Sequence, residues 1–292
     1  MEFLRPSFFI IGERKCGTSS LYRYLVAHPN VLPCQLKEPN FFGKGAAYVH
    51  QNIDSYWQLF PQKEAIEAIK FDWPELNEQG ILYHEAVTIA RKSDVQYITG
   101  EASVNTFYDV NPQLVQQYLP TTKLIVLFRN PVERAFSHHR MFQRFQAEGR
   151  DLGFKVNDFA TDVLAEMELI QKGGKGHYLS PSIYLPTLKR WMATFGKDQI
   201  RVYFAEDLAN LEMADKVMGD IQEYLALPFF DYEEILKQRF NVAPKASMDT
   251  EIKTKLQLFF KSYNQELAEF LNCSLPKEWE YLGNRAVGTK DG

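Results

Sequence analysis

The feature that most constrains this chain is a run of bulky apolar residues ending in glycine, Phe8-Phe9-Ile10-Ile11-Gly12, after which helical spacing soon sets in. Such a run is rich in β-formers and reads as a strand buried on both faces. From Thr18 to Ala27, Leu21, Tyr24 and Leu25 recur at the spacing of one helix face. The pattern is strand, loop, helix. It returns at Lys123–Phe128, a second apolar run followed by Arg129-Asn130-Pro131 and a helix expected from about residue 132 to 145, proline being suited to a first helical turn. Ile200–Phe204 reads as a third strand, preceded by a helix whose Leu185, Leu188, Trp191, Met192 and Phe195 share a face, and residues 97–100 as a shorter fourth. Strands alternating with helices predict an α/β fold, a central parallel β-sheet flanked by helices, with ligand sites at the carboxyl ends of the strands.

The 292 residues are 45% hydrophobic and 14% aromatic, enough to bury a large core, and a single domain over 1–292 is expected. Net charge is −4, so an anion site must be a local cluster of Lys and Arg, and general nucleic-acid binding is not expected. Cys16, Cys34 and Cys273 are odd in number and far apart, which fits reduced thiols in a cytoplasmic protein; metal-site spacing is absent. The N-terminal apolar run is far shorter than the roughly 20 residues of a membrane span, so neither a span nor a secretory signal is expected. Residues 51–60 read as an aromatic insertion over the sheet, and residues 249–271 as a long amphipathic helix packed on the core.

Chemistry concentrates in two loops. Gly12-Glu13-Arg14-Lys15-Cys16-Gly17-Thr18-Ser19-Ser20 joins a strand to a helix, where free N–H groups and the positive helix end suit a phosphate. The glycines allow close approach, Lys15 brings a point charge, and Thr18, Ser19 and Ser20 bring hydroxyls. The spacing resembles the nucleotide-triphosphate P-loop G-x-x-x-x-G-K-[ST], but Thr18 stands where that motif has lysine, which has moved to Lys15. No metal carboxylate follows the strand ending at Phe128; Arg129 does, so kinase chemistry is disfavoured. In the second loop, Arg129 offers paired donors and Ser137, two turns along the helix, a hydroxyl. Two anion-binding strand ends in one sheet imply a ligand with two separated phosphates.

These residues resemble the sulfotransferases that use 3′-phosphoadenosine-5′-phosphosulfate (PAPS). Lys15-x-Gly17-Thr18 looks like the family's 5′-phosphosulfate loop, and Arg129-Asn130-Pro131 with Ser137 like its 3′-phosphate motif. Lys37-Glu38-Pro39-Asn40-Phe41-Phe42 resembles the E-x-x-F-F segment of enzymes acting on heparan-type glycans. Gly100-Glu101-Ala102-Ser103 resembles an E-x-[ST] strand end, and Ser182-Ile183-Tyr184 with Leu188 and Trp191 an [SG]-x-Y…L-x-x-W helix. Similar motifs occur in bacterial polyketide-associated sulfotransferase domains. The resemblance implies a P-loop-like sulfotransferase fold, PAPS as donor, PAP as product and no metal. It implies catalytic roles for Lys15, at the leaving phosphate, and Glu38, as general base. Arg14, Lys15, Gly17, Thr18, Ser19, Ser20, Arg129, Ser137 and Lys245 would hold the nucleotide. Two places depart from the pattern: Ala102 stands where the family often has lysine, and Lys245 lacks the usual following glycine.

His84 is the rival base, between Tyr83 and Glu85. His138 and His139, adjacent on a helix, point about 100° apart and make a poor metal pair, and His28 reads as a helix terminus. The acceptor is a saccharide, on which Tyr56, Trp57 and Trp73 would stack, another small molecule, or a β-hydroxyacyl group on an acyl-carrier protein. The competing readings are a nucleotide-binding module without turnover and a P-loop-type small-molecule kinase.

Overall fold

The structure is a computed structural model that describes residues 2–63, 69–76, 82–89, 95–238, 240 and 246–280. Its strands are β1 (Pro6–Gly12), β2 (Val31–Pro33), β3 (Ile69–Leu76), β4 (Leu82–Ile89), β5 (Ile98–Ala102), β6 (Lys123–Phe128) and β7 (Ile200–Phe204). The helices are α1 (Thr18–Ala27), α2 (Ala46–Trp57), α3 (Thr106–Asp109), α4 (Pro112–Tyr118), α5 (Pro131–Ala147), α6 (Phe159–Gln171), α7 (Tyr184–Phe195), α8 (Ala205–Leu208), α9 (Leu211–Leu225), α10 (Glu233–Leu236) and α11 (Thr250–Leu271). The chain parts into two compact units, residues 1–129 with 186–246, and residues 130–185 with 247–292.

The first unit holds a five-stranded sheet in the order β2-β5-β1-β6-β7, parallel throughout. β1 lies at its centre, with Phe9 in register with both Glu101 and Leu124. Alternate side chains of β1 leave on opposite faces. Phe8 and Ile10 join Leu21, Leu25, Ile125, Leu127, Met218 and Ile221 in one core cluster under α1 and α9, while Phe9 packs against Phe42 with ring centroids 6.3 Å apart. Burial on both faces is what an uninterrupted apolar run requires, and each such side chain contributes about 1.5–3 kcal/mol. The fold class and α1 are as expected.

The hairpin β3–β4 is antiparallel, and α2 covers much of the aromatic segment 51–60. Trp279 lies against Tyr184, with ring centroids 5.9 Å apart, and the second unit's core unites Val132 and Ala135 of α5, Val163 of α6, Tyr178, Leu179, and Ile252, Leu256 and Phe260 of α11. Among the described residues, no helix is long and apolar enough to cross a membrane.

Candidate active site

The loop between β1 and α1 stands at the centre of the sheet. Gly12 has no room for a side chain, since a Cβ there would lie 2.8 Å from that of Phe107. Glu13 N donates to Leu127 O at 2.9 Å, carrying the β1–β6 ladder one step beyond the strands. Lys15 (φ 71°) and Gly17 (φ 86°) are then left-handed, the conformations from which anion-binding concavities are built. Among the described residues no side chain caps α1 at Gly17, and its first turn carries no acid. The leading amides and positive end of such a helix favour an anion.

Arg129, at the end of β6, donates from Nη1 to Lys15 O at 3.2 Å. The two loops singled out from the sequence are thus in contact, a guanidinium beside the lysine backbone. Asn130 caps α5, accepting from the amides of Val132 and Glu133 at 3.0 and 3.3 Å. Ser137 lies half-buried on α5 in the second unit.

Two predicted ligands are engaged elsewhere. Arg14 donates from Nε and Nη2 to Asn105 Oδ1 at 2.8 and 2.5 Å and pairs with Asp109 at 3.3 Å, tying the loop to α3. The Ser20 hydroxyl donates to Phe240 O at 3.2 Å. Lys245 lies outside the described residues. Trp73 and His84 belong to the β3–β4 hairpin, where Pro74 faces His84 in register; their side chains lie outside the description.

Glu38 follows β2 in a tight loop in which it (φ 56°) and Asn40 (φ 46°) are both left-handed. The Asn40 side-chain amide donates to Glu38 O at 2.9 Å, and Asn40 N donates to Ser103 Oγ at 3.0 Å. Burial pushes the Glu38 carboxyl above its ordinary range, against the pull of Lys37, Arg14 and Lys15. Glu38 and Lys15 therefore share one electrostatic neighbourhood.

Glu101, at the end of β5, is fully buried. Tyr56 Oη and Ser103 Oγ donate to its two oxygens, each at 2.5 Å. Burial pushes its pKa up to about 7, and Glu38 adds to the rise while the two hydroxyl bonds oppose it. The sequence signal for Glu101 was its place in the E-x-[ST] strand end. Tyr56 corrects an expectation: it is fully buried, stacked on Phe41 at 4.8 Å and bonded to Glu101, so it presents no face to a sugar. Trp57 is covered by the Arg5 guanidinium, 3.6 Å from its ring centroid.

His28 and His139 are bonded to protein groups. His28 accepts from Asn30 N at Nδ1, so its Nε2 carries the proton and donates to Pro228 O at 3.0 Å. His139 Nε2 faces Asp162 at 3.2 Å, and burial holds its pKa down. Cys16 and Cys34 are buried free thiols and Cys273 an exposed one. Among the described residues no cluster of His, Cys, Asp or Glu could hold a metal.

Residues 6–175 match the model of the family described as "Sulfotransferase family". Human carbohydrate sulfotransferase 15 is 26% identical over 313 residues, which cover 91% of this chain and 53% of that protein. Mouse bifunctional heparan sulfate N-deacetylase/N-sulfotransferase 4 is 24% identical over 299 residues, 91% of this chain and 30% of that protein. The chain thus spans about half, or less, of the length of these relatives. A solved sulfotransferase from Alicyclobacillus acidocaldarius superposes with a TM-score of 0.63 at 24% identity, covering 94% of this chain and 98% of that one, and shares the fold.

Proposed function

Because this chain belongs to the sulfotransferase family, we propose that it transfers a sulfonate group from PAPS to an acceptor hydroxyl or amine, with a saccharide as the acceptor. The contact of the Arg129 guanidinium with Lys15 O carries the reading, since it joins the two cationic loops that a doubly phosphorylated nucleotide needs. PAPS supplies a sulfonate already activated on a phosphate. The uncapped amides of α1, with the Thr18 and Ser19 hydroxyls and the freedom of Gly17, hold the 5′-phosphate. Lys15 neutralises charge that grows on the leaving phosphate oxygen, the kind of preorganised stabilisation worth about 3–4 kcal/mol. Arg129 binds the 3′-phosphate. Ser20 serves through its amide, its hydroxyl being held by Phe240, and Arg14 shapes the loop through Asn105 and Asp109.

Glu38 takes the acceptor's proton. Its raised pKa strengthens it as a base, and the cations beside it favour its anion. The saccharide class is supported by the names of the two relatives, a carbohydrate and a heparan sulfate sulfotransferase.

The test is a panel of acceptors incubated with sulfur-labelled PAPS: unsulfated heparosan and chondroitin oligosaccharides, N-deacetylated heparosan, small alcohols and β-hydroxyacyl groups on a carrier protein. Label is expected on a saccharide. Label on the carrier-bound group alone would overturn the acceptor class. Tight binding of PAP with transfer to none of them would point to a nucleotide-binding module without turnover.

A further inference from the structure

Glu101 is the least expected residue of the sheet. It sits on an inner strand between β1 and β2 and is fully buried, where an apolar side chain would build the fold at lower cost. A buried carboxyl is tolerated only when hydrogen-bonded or neutralised. Here the hydrogen bonds lead to the candidate base. Tyr56 Oη donates to one carboxyl oxygen and Ser103 Oγ to the other. The Ser103 oxygen accepts from Asn40 N at 3.0 Å, and Asn40 in turn donates to Glu38 O. One continuous chain therefore links a buried acid to the backbone of a turn in which both Glu38 and Asn40 hold unfavourable left-handed conformations.

We propose that Glu101 is a positioning residue for the transfer reaction: through the Ser103 hydroxyl and the Asn40 amide it fixes the turn that carries Glu38. The inference rests on Glu38 being the base. Two like charges this close resist ionising together, so the pair titrates in two steps, Glu38 first because Lys37, Arg14 and Lys15 favour its anion. The other titratable groups facing Glu101 are Tyr56 of α2, Tyr22 of α1 and Cys34 after β2; burial pushes all three upward, so they stay neutral. As Glu101 ionises, it becomes a stronger acceptor for Ser103 and holds the turn more firmly.

Two measurements decide this. In the first, the carboxyl carbons of ¹³C-labelled glutamate are followed by NMR against pH in the full chain without nucleotide. Glu101, identified by the signal lost in Glu101→Gln, titrates near neutrality, and in Glu38→Gln its midpoint falls by about half a pH unit or more, because a like charge has gone. An unmoved midpoint would overturn the coupling. In the second, kinetics are measured with PAPS and unsulfated heparosan oligosaccharides. Glu101→Gln and Ser103→Ala lower kcat roughly 10- to 100-fold through misplacement of the base, leave KM for PAPS within about two-fold, and Ser103→Thr restores the rate by restoring the hydroxyl. Wild-type kcat in both Glu101→Gln and Ser103→Ala, with Glu38→Gln inactive, would overturn this inference and leave the function standing. Full activity in Glu38→Gln would overturn both. If Glu101→Gln does not fold, the Ser103 pair carries the kinetic test.

Discussion

Lys15 holds a backbone conformation that an L-residue adopts only under constraint, and the cost is about 1–2 kcal/mol. Strain retained at a charged loop residue suggests that position is worth more than stability there. Lys15→Ala is expected to lower transfer by about 10²- to 10³-fold. Lys15→Gly should lower it as much yet raise the unfolding free energy by about 1 kcal/mol, as read by thermal melting; a less stable glycine variant, or one with near-normal turnover, would contradict the role. Glu38 gives a second prediction. Its pKa is raised by burial and lowered chiefly by Lys37. A base must be ionised to work, so activity falls as pH drops through its pKa, and that fall begins above the usual glutamate range. Lys37→Ala removes the leading opposing charge and moves the acid limb of kcat/KM to still higher pH. A limb that stays in place, or moves down, would show that Glu38 is not the titrating base.

At the scale of elements, several residues within the motifs are fold-building. Arg134, within the Arg129–Ser137 motif, is fully buried; its Nε donates to Ser182 Oγ at 2.6 Å and its Nη2 to Tyr178 O. Ser182 also donates to Pro131 O at 3.2 Å, so the Ser182-Ile183-Tyr184 echo anchors the start of α5. Trp191 donates from Nε1 to Phe107 O at 2.8 Å. Arg134→Leu strands those acceptors and should cost about 2–4 kcal/mol by denaturant titration, against almost nothing for a merely solvated arginine. Helix ends were legible where the chemistry is local: Asn130 and Pro131 begin α5, and Asp249 caps α11 by accepting from Ile252 N at 3.0 Å. The hairpin was not: Pro74 argues against a strand, and Trp73 and His84 were read as single residues. Glu166 escaped notice altogether. It accepts from the amides of His177, Tyr178 and Leu179, a use that no spacing in the sequence announces.

For the whole molecule, the strand-loop-helix rhythm was enough to read a parallel sheet and its two anion loops, since each unit of that rhythm is local. Strand order was not readable, because it depends on partners far apart in the chain, and neither was the short β2. The candidate site was legible as residue types but not as a constellation: Lys15 and Arg129 are 114 residues apart, and only folding sets β1 beside β6. Of the predicted nucleotide ligands, Lys15, Gly17, Thr18, Ser19 and Arg129 stand in or against the loop, while the Arg14 side chain ties the loop to α3 and the Ser20 hydroxyl bonds Phe240 O. Those two departures arise because a basic or hydroxyl side chain in a loop satisfies whichever partner is nearest, and sequence does not reveal that partner. The central claim is that two cationic strand ends grip the opposite ends of one doubly phosphorylated adenosine. Calorimetry of the full chain with adenosine 3′,5′-bisphosphate against AMP tests it directly. The bisphosphate should bind at least about 10-fold more tightly, and Arg129→Ala should erase most of that preference while leaving AMP binding nearly unchanged. Equal affinity for the two nucleotides in the unmodified protein would contradict the account.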